Sequence, residues 1–259
     1  MNLLAFDTST DAMSIAVSRA LAEDASAAGG SRVWQHSSAG GAVSSASLIP
    51  NIVQLMAQAG LRFEALDAIV FGRGPGSFTG LRTACSVAQG LALGAGVPVL
   101  PVDTLLAVAE EARFVHAPLV SHLNVLAALD ARMDEVYAAH YEYSSGLWLL
   151  HGACSLIQPE NLGMDWNLKV VMDAGQNASP IVAGNTSAVY AHRIAHNGLT
   201  QINALPTATA LLRLAPALLA AGQGVPADQA LPLYIRDKVA RTTEERAADK
   251  ADKAITTPV

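Results

Sequence analysis

The sequence predicts an α/β protein of two lobes, each of which opens with a β-hairpin and contains a mixed sheet. Two apolar strands that end in an aspartate, Leu3–Asp7 and Asn124–Asp130, are followed by partner strands at Met13–Ser18 and Glu135–Tyr143. The patterns of the first lobe follow the order β-β-β-α-β-α-β-α, which is typical of a layered α/β domain. The repeated opening indicates weak internal symmetry, although there is no sequence repeat.

The first lobe is predicted over residues 1–115. After the hairpin, the predicted strands are Val33–Ser37, Leu66–Phe71 and Val97–Val102. The predicted helices run from Leu48 to near Gly60, with Pro50 in the first turn, over Thr83–Leu93 and over Thr104–Arg113. The low-complexity stretch Ala20–Ser31 predicts a long hairpin tip, and the role of the whole insertion 20–47 stays open.

The second lobe is predicted over residues 116–235 and begins near Pro118. After its hairpin we expect strands at Gly146–Leu150 and Pro180–Asn185, and helices at Ser187–His196 and Thr207–Gly222. Residues 236–259 are rich in charges, and this composition predicts a flexible tail rather than a binding element.

Composition excludes several classes of protein. Hydrophobic residues make up 51% of the 259, which supports a core without disulfides or metals. The two cysteines, Cys85 and Cys154, lack metal-ligand spacing, and the N-terminus lacks a signal peptide's basic start, so we expect a cytoplasmic protein. No apolar run reaches the roughly 20 residues of a bilayer span. A formal net charge of −6 argues against autonomous binding to nucleic acid.

The segment Gly72–Arg82 is rich in glycine and lies between an apolar run and a helical pattern. Such a segment can present backbone N–H groups to an anion at a helix N-terminus, or can simply turn a buried strand into a buried helix. No lysine follows Gly80, so the segment is not a P-loop, and its glycines do not form the Gly-x-Gly-x-x-Gly pattern. The structural interpretation is favoured over nucleotide binding by this chain alone.

Four segments together resemble the TsaB (YeaZ) family: Leu3–Thr10, Gly72–Arg82, Ala128–Tyr137 and Pro232–Asp237. The resemblance covers nearly the whole chain and implies the actin/Hsp70-like (ASKHA) fold of two α/β lobes. It implies a non-catalytic partner of TsaD that, with TsaE, supports transfer of threonylcarbamoyl from its adenylate to adenosine 37 of tRNA. It also implies that tRNA is reached only through the complex, and that homodimers form when TsaD is absent.

The fold also implies where a nucleotide would bind. The turn Asp7-Thr8-Ser9 would face its phosphates, but bulky residues follow Asp130 in the second lobe, so we expect a degenerate site. The residues of this weak site are Asp7, Thr8, Ser9, Gly74, Gly76, Ser77 and Gly80. No cofactor is expected to be required by this chain, while ATP or ADP at the boundary with TsaD is possible under the resemblance.

Neither a metal site nor a catalytic residue is predicted. His192 and His196 have i, i+4 spacing, but two ligands without a carboxylate or cysteine seldom form a site, and a solvated helix face is the better interpretation. Ser77 lies in Gly-Ser-Phe-Thr-Gly, which does not match the Gly-x-Ser-x-Gly elbow of hydrolases. Two alternatives stay open, a free-standing ASKHA-fold ATPase or small-molecule kinase, and a glycopeptidase-like hydrolase.

The resemblance implies that two helices of the first lobe pack against the same helices of TsaD. The residues expected at this interface are Leu48, Ile52, Leu55, Met56, Arg82, Cys85, Ala88, Gln89 and Ala92. The second helix is unusually rich in small residues, which permit close backbone approach either to a partner helix or to the lobe's own sheet. If the first interpretation holds, Ala88→Glu or Gly90→Arg should abolish TsaD binding while the chain stays folded.

Overall fold

The computed structural model describes residues 1–21, 30–41, 44–164, 180–194 and 199–236. Most of the expected hairpin tip, the end of the helix expected at Ser187–His196, and the expected tail beyond Arg236 lie outside these ranges. The strands are β1 Leu3–Asp7, β2 Ala12–Ala20, β3 Ser31–Ala39, β4 Ala68–Gly74, β5 Val99–Asp103, β6 His122–Arg132, β7 Glu135–Ser144, β8 Leu147–Ile157, β9 Ile181–Gly184 and β10 Thr200–Asn203. The helices are α1 Ser44–Ala59, α2 Phe78–Ala95, α3 Thr104–His116, α4 Thr186–Tyr190 and α5 Ala208–Ala220.

The two sheets have the same topology. The first has the order β3-β2-β1-β4-β5, and the second has the order β8-β7-β6-β9-β10. In each, a hairpin and its third strand pair antiparallel, the first strand pairs parallel with a fourth strand, and the fourth pairs parallel with the fifth. This confirms the predicted mixed sheets and the symmetry that the two openings indicated in the sequence.

Helices cover both faces of the first sheet. On one face, α1 and α2 contribute Leu48, Ile52 and Ala88 to a core with side chains of β1, β2 and β4. On the other face, α5 packs Leu211 and Ala215 against the same strands, and α3 lies beside it. Helix α3 also packs against the second sheet, so it is shared by both halves of the molecule. Within the described ranges, no helix combines the length and apolar character that a bilayer crossing requires.

The last part of the segment predicted as the second lobe, residues 116–235, packs on the first sheet. Residues 208–220 follow the second sheet in sequence, yet they pack on the first sheet, and Val225 pairs with Val99 beside β5. The apolar face of α5 is buried there because the first sheet would otherwise expose Leu3, Ala5 and Val70. The second lobe's sheet therefore lies within residues 122–203, and the chain then returns to the first lobe.

Several local predictions were wrong in extent. Helix α1 begins at Ser44, so Pro50 lies inside it rather than in its first turn. Strand β4 continues to Gly74, which places the first glycines of the glycine-rich segment in the sheet rather than in a loop. The helix expected from Ser187 is short, since α4 ends at Tyr190. The edge strand Thr200–Asn203 was not predicted, because its residues are mostly polar and partly exposed.

Candidate functional site

The turn after β1 buries a carboxylate that is only half satisfied. Asp7 is 1% exposed, and its Oδ1 accepts hydrogen bonds from the backbone N–H and the hydroxyl of Ser9, at 2.8 and 2.6 Å. Its Oδ2 is buried against Gly72 and has no hydrogen-bond partner among the described residues. Burial raises the pKa of Asp7 to about 6, because the bonds from Ser9 offset only part of the desolvation cost.

The glycine-rich segment packs directly on this turn. A Cβ on Gly76 would lie 2.5 Å from the carbonyl oxygen of Ser9, and one on Gly80 would lie 1.9 Å from that of Thr8. The backbone N–H of Ser77 donates to Ser9 O at 2.7 Å, and the hydroxyl of Thr8 donates to Gly80 O at 2.7 Å. These two glycines are therefore required because two backbones touch, with no space left for a side chain.

Four N–H groups of the segment, those of Gly74, Ser77, Gly80 and Leu81, are bonded within the protein. Gly74 N donates to the hydroxyl of Thr104 at 3.1 Å, and Leu81 N donates to Ser77 O at 2.8 Å. Ser77 is the N-cap of α2, and its hydroxyl accepts from Gly80 N. A phosphate cradle needs several N–H groups that point at the ligand. The geometry therefore favours a packing role for this segment and gives Ser77 a capping role.

In the second lobe, Asp130 is the residue that corresponds to Asp7 in the sequence pattern. Its Oδ1 accepts from the hydroxyl of Tyr190 at 2.8 Å and from the backbone of Arg132 at 2.9 Å, and its Oδ2 lies 3.3 Å from the Arg132 guanidinium. Its own N–H donates to Asn185 Oδ1 at 2.9 Å. Both carboxylate oxygens therefore have partners from this chain.

The β6–β7 turn that follows has an unusual backbone. Arg132, Met133 and Asp134 have φ angles of 62°, 58° and 60°, three successive left-handed residues that are not glycine. Arg236 donates to the carbonyl oxygens of Ala131 and Arg132, at 3.1 and 3.2 Å. These bonds to a distant residue hold a turn that is unfavourable for its local sequence.

A cleft of about 380 Å³ lies between the two hairpin turns and the start of α2. Of the residues predicted for a weak nucleotide site, Ser9, Gly76 and Ser77 line this cleft, whereas Asp7, Thr8, Gly74 and Gly80 do not. Arg132 and Asp11 form an ion pair across it at 2.5 Å, but both side chains are largely exposed, so the pair contributes little to stability.

A C-terminal strap, residues 230–236, joins α2 to the cleft, and its contacts were missed by sequence reasoning. Ala230 O accepts hydrogen bonds from Gln89 Nε2 at 2.8 Å and from the thiol of Cys85 at 3.3 Å. The Tyr234 ring lies 4.6 Å from the Phe78 ring, and its hydroxyl accepts from Arg82. The only signal for the strap in the sequence was the segment Pro232–Asp237, which the family resemblance singled out.

The residues expected at a partner interface are mostly inside the lobe. The buried members are Leu48, Ile52, Leu55, Met56, Cys85, Ala88 and Ala92. Gln89 is half-buried and bonded to the strap, and Arg82 is exposed but packs on Phe78. The buried side chains therefore belong to the core of the lobe, because the apolar face of each amphipathic helix is turned to its own sheet.

The opposite faces of α1 and α2 are exposed and carry apolar or small residues. Ile49 and Val53 on α1 are half-exposed, and Leu93 on α2 is 80% exposed. Gly90 is exposed on α2, and a Cβ built on it meets nothing within 4 Å. We call this surface the outer face of α1 and α2. This face lies on the opposite side of the two helices from the residues that the sequence suggested.

Metal binding finds no support in the part of the chain that the structure describes, where no group of three His, Cys, Asp or Glu side chains is arranged to hold an ion. His192 is exposed in a turn after α4, and His196 lies outside the described residues. His36 lies on β3, where its Nε2 is buried without a partner in the described ranges.

A family model and a curated relative both match most of this chain. A family model described as TsaD, tRNA N6-adenosine threonylcarbamoyltransferase, matches residues 38–250. The tRNA threonylcarbamoyladenosine biosynthesis protein TsaB of Escherichia coli (strain K12) is 32% identical over 248 residues, which cover 93% of this chain and 96% of the relative.

Solved structures show the same relationship. YeaZ from Pseudomonas aeruginosa is 36% identical with a TM-score of 0.73, covering 90% of this chain and 99% of that one. A second structure, of an uncharacterised Pseudomonas aeruginosa protein with similarity to the peptidase YeaZ, is 37% identical with a TM-score of 0.74, covering 91% and 99%. With the TsaD-type family model, these matches support the actin/Hsp70-like fold of two lobes. The chain belongs to the TsaB (YeaZ) family of tRNA threonylcarbamoyladenosine biosynthesis proteins.

Proposed function

We propose that this chain is a non-catalytic subunit that binds TsaD and, with TsaE, supports transfer of threonylcarbamoyl from its adenylate to adenosine 37 of tRNA. The observation that carries the proposal is family membership over nearly the full length of the E. coli TsaB protein. Asp130 supports the non-catalytic role, because both of its carboxylate oxygens are bonded to Arg132 and Tyr190, whereas only one oxygen of Asp7 is bonded, to Ser9. The complex works in the cytoplasm and reaches tRNA through its assembled form.

The outer face of α1 and α2 is the surface proposed to bind TsaD. Ile49, Val53 and Leu93 place apolar area there, and Gly90 allows a partner backbone to approach closely. Burial of such side chains is the main favourable contribution to association. When TsaD is absent, the same face would pair with a second copy of this chain about a two-fold axis.

The chain requires no cofactor of its own under this proposal. The N–H groups of the glycine-rich segment are bonded within the protein at Gly74, Ser77 and Gly80, which supports this view. ATP or ADP would instead sit at the boundary with TsaD, so the affinity of the two proteins for each other would depend on nucleotide.

The first test is a calorimetric titration of this chain into purified TsaD, with and without ATP. We expect saturable binding in the micromolar range or tighter. Gly90→Arg should weaken it at least about tenfold, because the new side chain enters the contact face while the fold has room for it. Leu119→Arg, at a residue 97% exposed between α3 and β6, is the matched control and should bind normally.

Two other outcomes would overturn the proposal. Absence of binding between folded proteins, together with ADP affinity and phosphate release by the isolated chain, would identify a free-standing ASKHA-fold ATPase or kinase. Peptide hydrolysis that disappears in a folded Ser77→Ala variant would identify a glycopeptidase-like hydrolase. Normal TsaD binding by Gly90→Arg would place the interface elsewhere on the chain.

A further inference from the structure

A second concave surface lies far from the cleft, at the end of the β2–β3 hairpin where residues 20 and 31 pair. It is a groove of about 330 Å³ between this hairpin and the C-terminal end of α1. Its walls include Arg19, Arg32, Trp34 and the last residues of α1 up to Gly60. None of these residues belongs to the site described above, and the groove has two guanidinium groups and an indole ring in one place.

The two arginines are cross-strand neighbours. Arg19 on β2 pairs in register with Arg32 on β3, so both side chains project from the same face of the sheet. Arg19 Nη1 donates to Ala59 O at 2.9 Å, and the Arg32 guanidinium lies 4.9 Å from the centre of the Trp34 ring. Two like charges opposite each other are unfavourable in a sheet, and the structure offsets this only through a carbonyl group and a ring face.

Neither arginine forms an ion pair with a carboxylate of the described residues. The same ranges contain seven arginines that do: Arg62, Arg73, Arg113, Arg132, Arg193, Arg213 and Arg236. Arg19 and Arg32 are also both exposed. In a chain of net charge −6, this groove is a local concentration of positive charge with spare hydrogen-bond donors.

A charged edge strand can also serve only to prevent sheets from pairing edge to edge. That role would explain a charge on β3, but it does not require a second arginine opposite it on β2. Trp34 lies two residues along on the same face, where its half-buried ring packs against the core beneath α1 and also borders the groove. Guanidinium groups beside an aromatic ring are the combination that binds a phosphate backbone and stacks on an unpaired base.

We propose that this groove contacts the tRNA substrate, with Arg19 and Arg32 on backbone phosphates and Trp34 beside an unstacked base. The inference rests on the proposed function, because two phosphate contacts are too few for autonomous binding and act only within the assembled complex. The positive charge of the two arginines favours an RNA over an apolar protein partner. The indole ring of Trp34 favours an RNA over an inorganic anion, because an anion has no base to stack on the ring.

The test uses the reconstituted complex of this chain with TsaD and TsaE. Binding of unmodified tRNA is measured at several salt concentrations between about 50 and about 200 mM. We expect the double variant Arg19→Gln/Arg32→Gln to lower affinity about tenfold and to reduce the slope of log K against log salt by roughly two. Arg32→Gln alone, which keeps the bond of Arg19 to α1, should reduce the slope by roughly one.

Arg62→Gln is the matched control, because it removes the same charge from an exposed arginine that is already paired with Glu64. It should leave the tRNA affinity and the slope unchanged. Failure of the unmodified chain to bind TsaD would overturn the proposed function itself. If the double variant assembles normally and its tRNA affinity and slope are unchanged, the proposal for the groove is overturned while the proposed function stands. The same holds if the double variant loses TsaD or TsaE binding but keeps normal tRNA affinity.

Discussion

At the scale of single residues, Asp7 and its neighbours form a turn that packs tightly against the glycine-rich segment. The carboxylate is buried, Ser9 satisfies one of its oxygens, and Gly72 leaves space for the other. Burial raises the pKa of Asp7 from 3.8 to about 6, so the folded state holds this proton more tightly than the unfolded state does. The turn is therefore less stable when Asp7 is ionised.

This pKa predicts a dependence of stability on pH. Between about pH 4 and about pH 6 the folded state binds the proton and the unfolded state does not, so the free energy of unfolding should fall as the pH rises. The full change is roughly 3 kcal/mol. Asp7→Asn keeps the acceptor for Ser9 and should remove this dependence, giving a protein at least as stable at pH 7. Urea unfolding at several pH values would measure it, and an unchanged pH dependence in the variant would contradict it.

Two glycines of α2 make a matched pair for a second prediction. Gly80→Ala would place a Cβ 1.9 Å from the backbone of Thr8, which cannot move without displacing the β1 turn, so we expect a loss of about 3 kcal/mol or more. Gly90→Ala meets nothing within 4 Å and should stabilise the helix by about 1 kcal/mol. Thermal unfolding of both variants tests the contrast, and similar shifts would show that the glycines are equivalent.

At the scale of elements, α2 has two faces with different roles. Its inner face buries Ala84 and Ala88 against the sheet, and its outer face exposes Gly90 and Leu93. The strap then bonds to its flank through Gln89. The effect of a substitution therefore depends on the face of the helix that carries it. A change on the inner face can prevent partner binding by unfolding the lobe, whereas a change on the outer face can prevent it by blocking the surface.

Ala88→Glu illustrates the difference. The sequence suggested that this change would block a partner without unfolding the chain, but Ala88 is fully buried, and an unpaired carboxylate there should cost roughly 3 kcal/mol or more. We expect a strongly lowered melting temperature, while Gly90→Arg keeps the melting temperature of the unchanged protein. A stable Ala88→Glu protein that fails only in TsaD binding would show that the burial of α2 changes on assembly.

At the scale of the whole molecule, a buried charged network ties the halves together. Glu110 on α3 accepts bonds from Arg113, from Arg213 of α5 and from Trp148 of β8, at 2.8 to 3.1 Å. Burial opposes ionisation of Glu110, but the bonds and charge of Arg113 outweigh it, so its pKa is lowered. The network joins the second sheet to the helix that returns to the first.

Glu110→Gln should therefore destabilise the protein by roughly 2 to 3 kcal/mol at neutral pH, because Arg113 loses its charged partner and Arg213 keeps only Glu111. The contribution is present above the carboxyl's unfolded pKa and is lost as the pH falls through its lowered folded value. The variant should accordingly lose stability less steeply on acidification. Denaturant unfolding would measure both effects. Glu64→Gln, in an exposed ion pair, is the control and should unfold like the unchanged protein.

The sequence by itself determined the fold class, the paired openings at Asp7 and Asp130, and family membership. Alternation of apolar residues and the positions of glycines are local signals. They can be recognised in one sequence because each strand and turn requires particular residue types at particular positions of its own backbone. The packing role of the glycine-rich segment was likewise favoured from its residues alone, and its contacts with Thr8 and Ser9 agree with that view.

Tertiary structure alone decided which face of α1 and α2 is free, where residues 208–236 go, and which arginines have no carboxylate partner among the described residues. These properties depend on contacts between segments that are separated in the sequence, such as Arg19 with Ala59 and Ala230 with Gln89. Hydrophobic periodicity identifies the apolar stripe of a helix but not whether a sheet or a partner covers it. The structure buries the apolar stripe of both helices in the chain's own core, and the proposed interface therefore uses the opposite face.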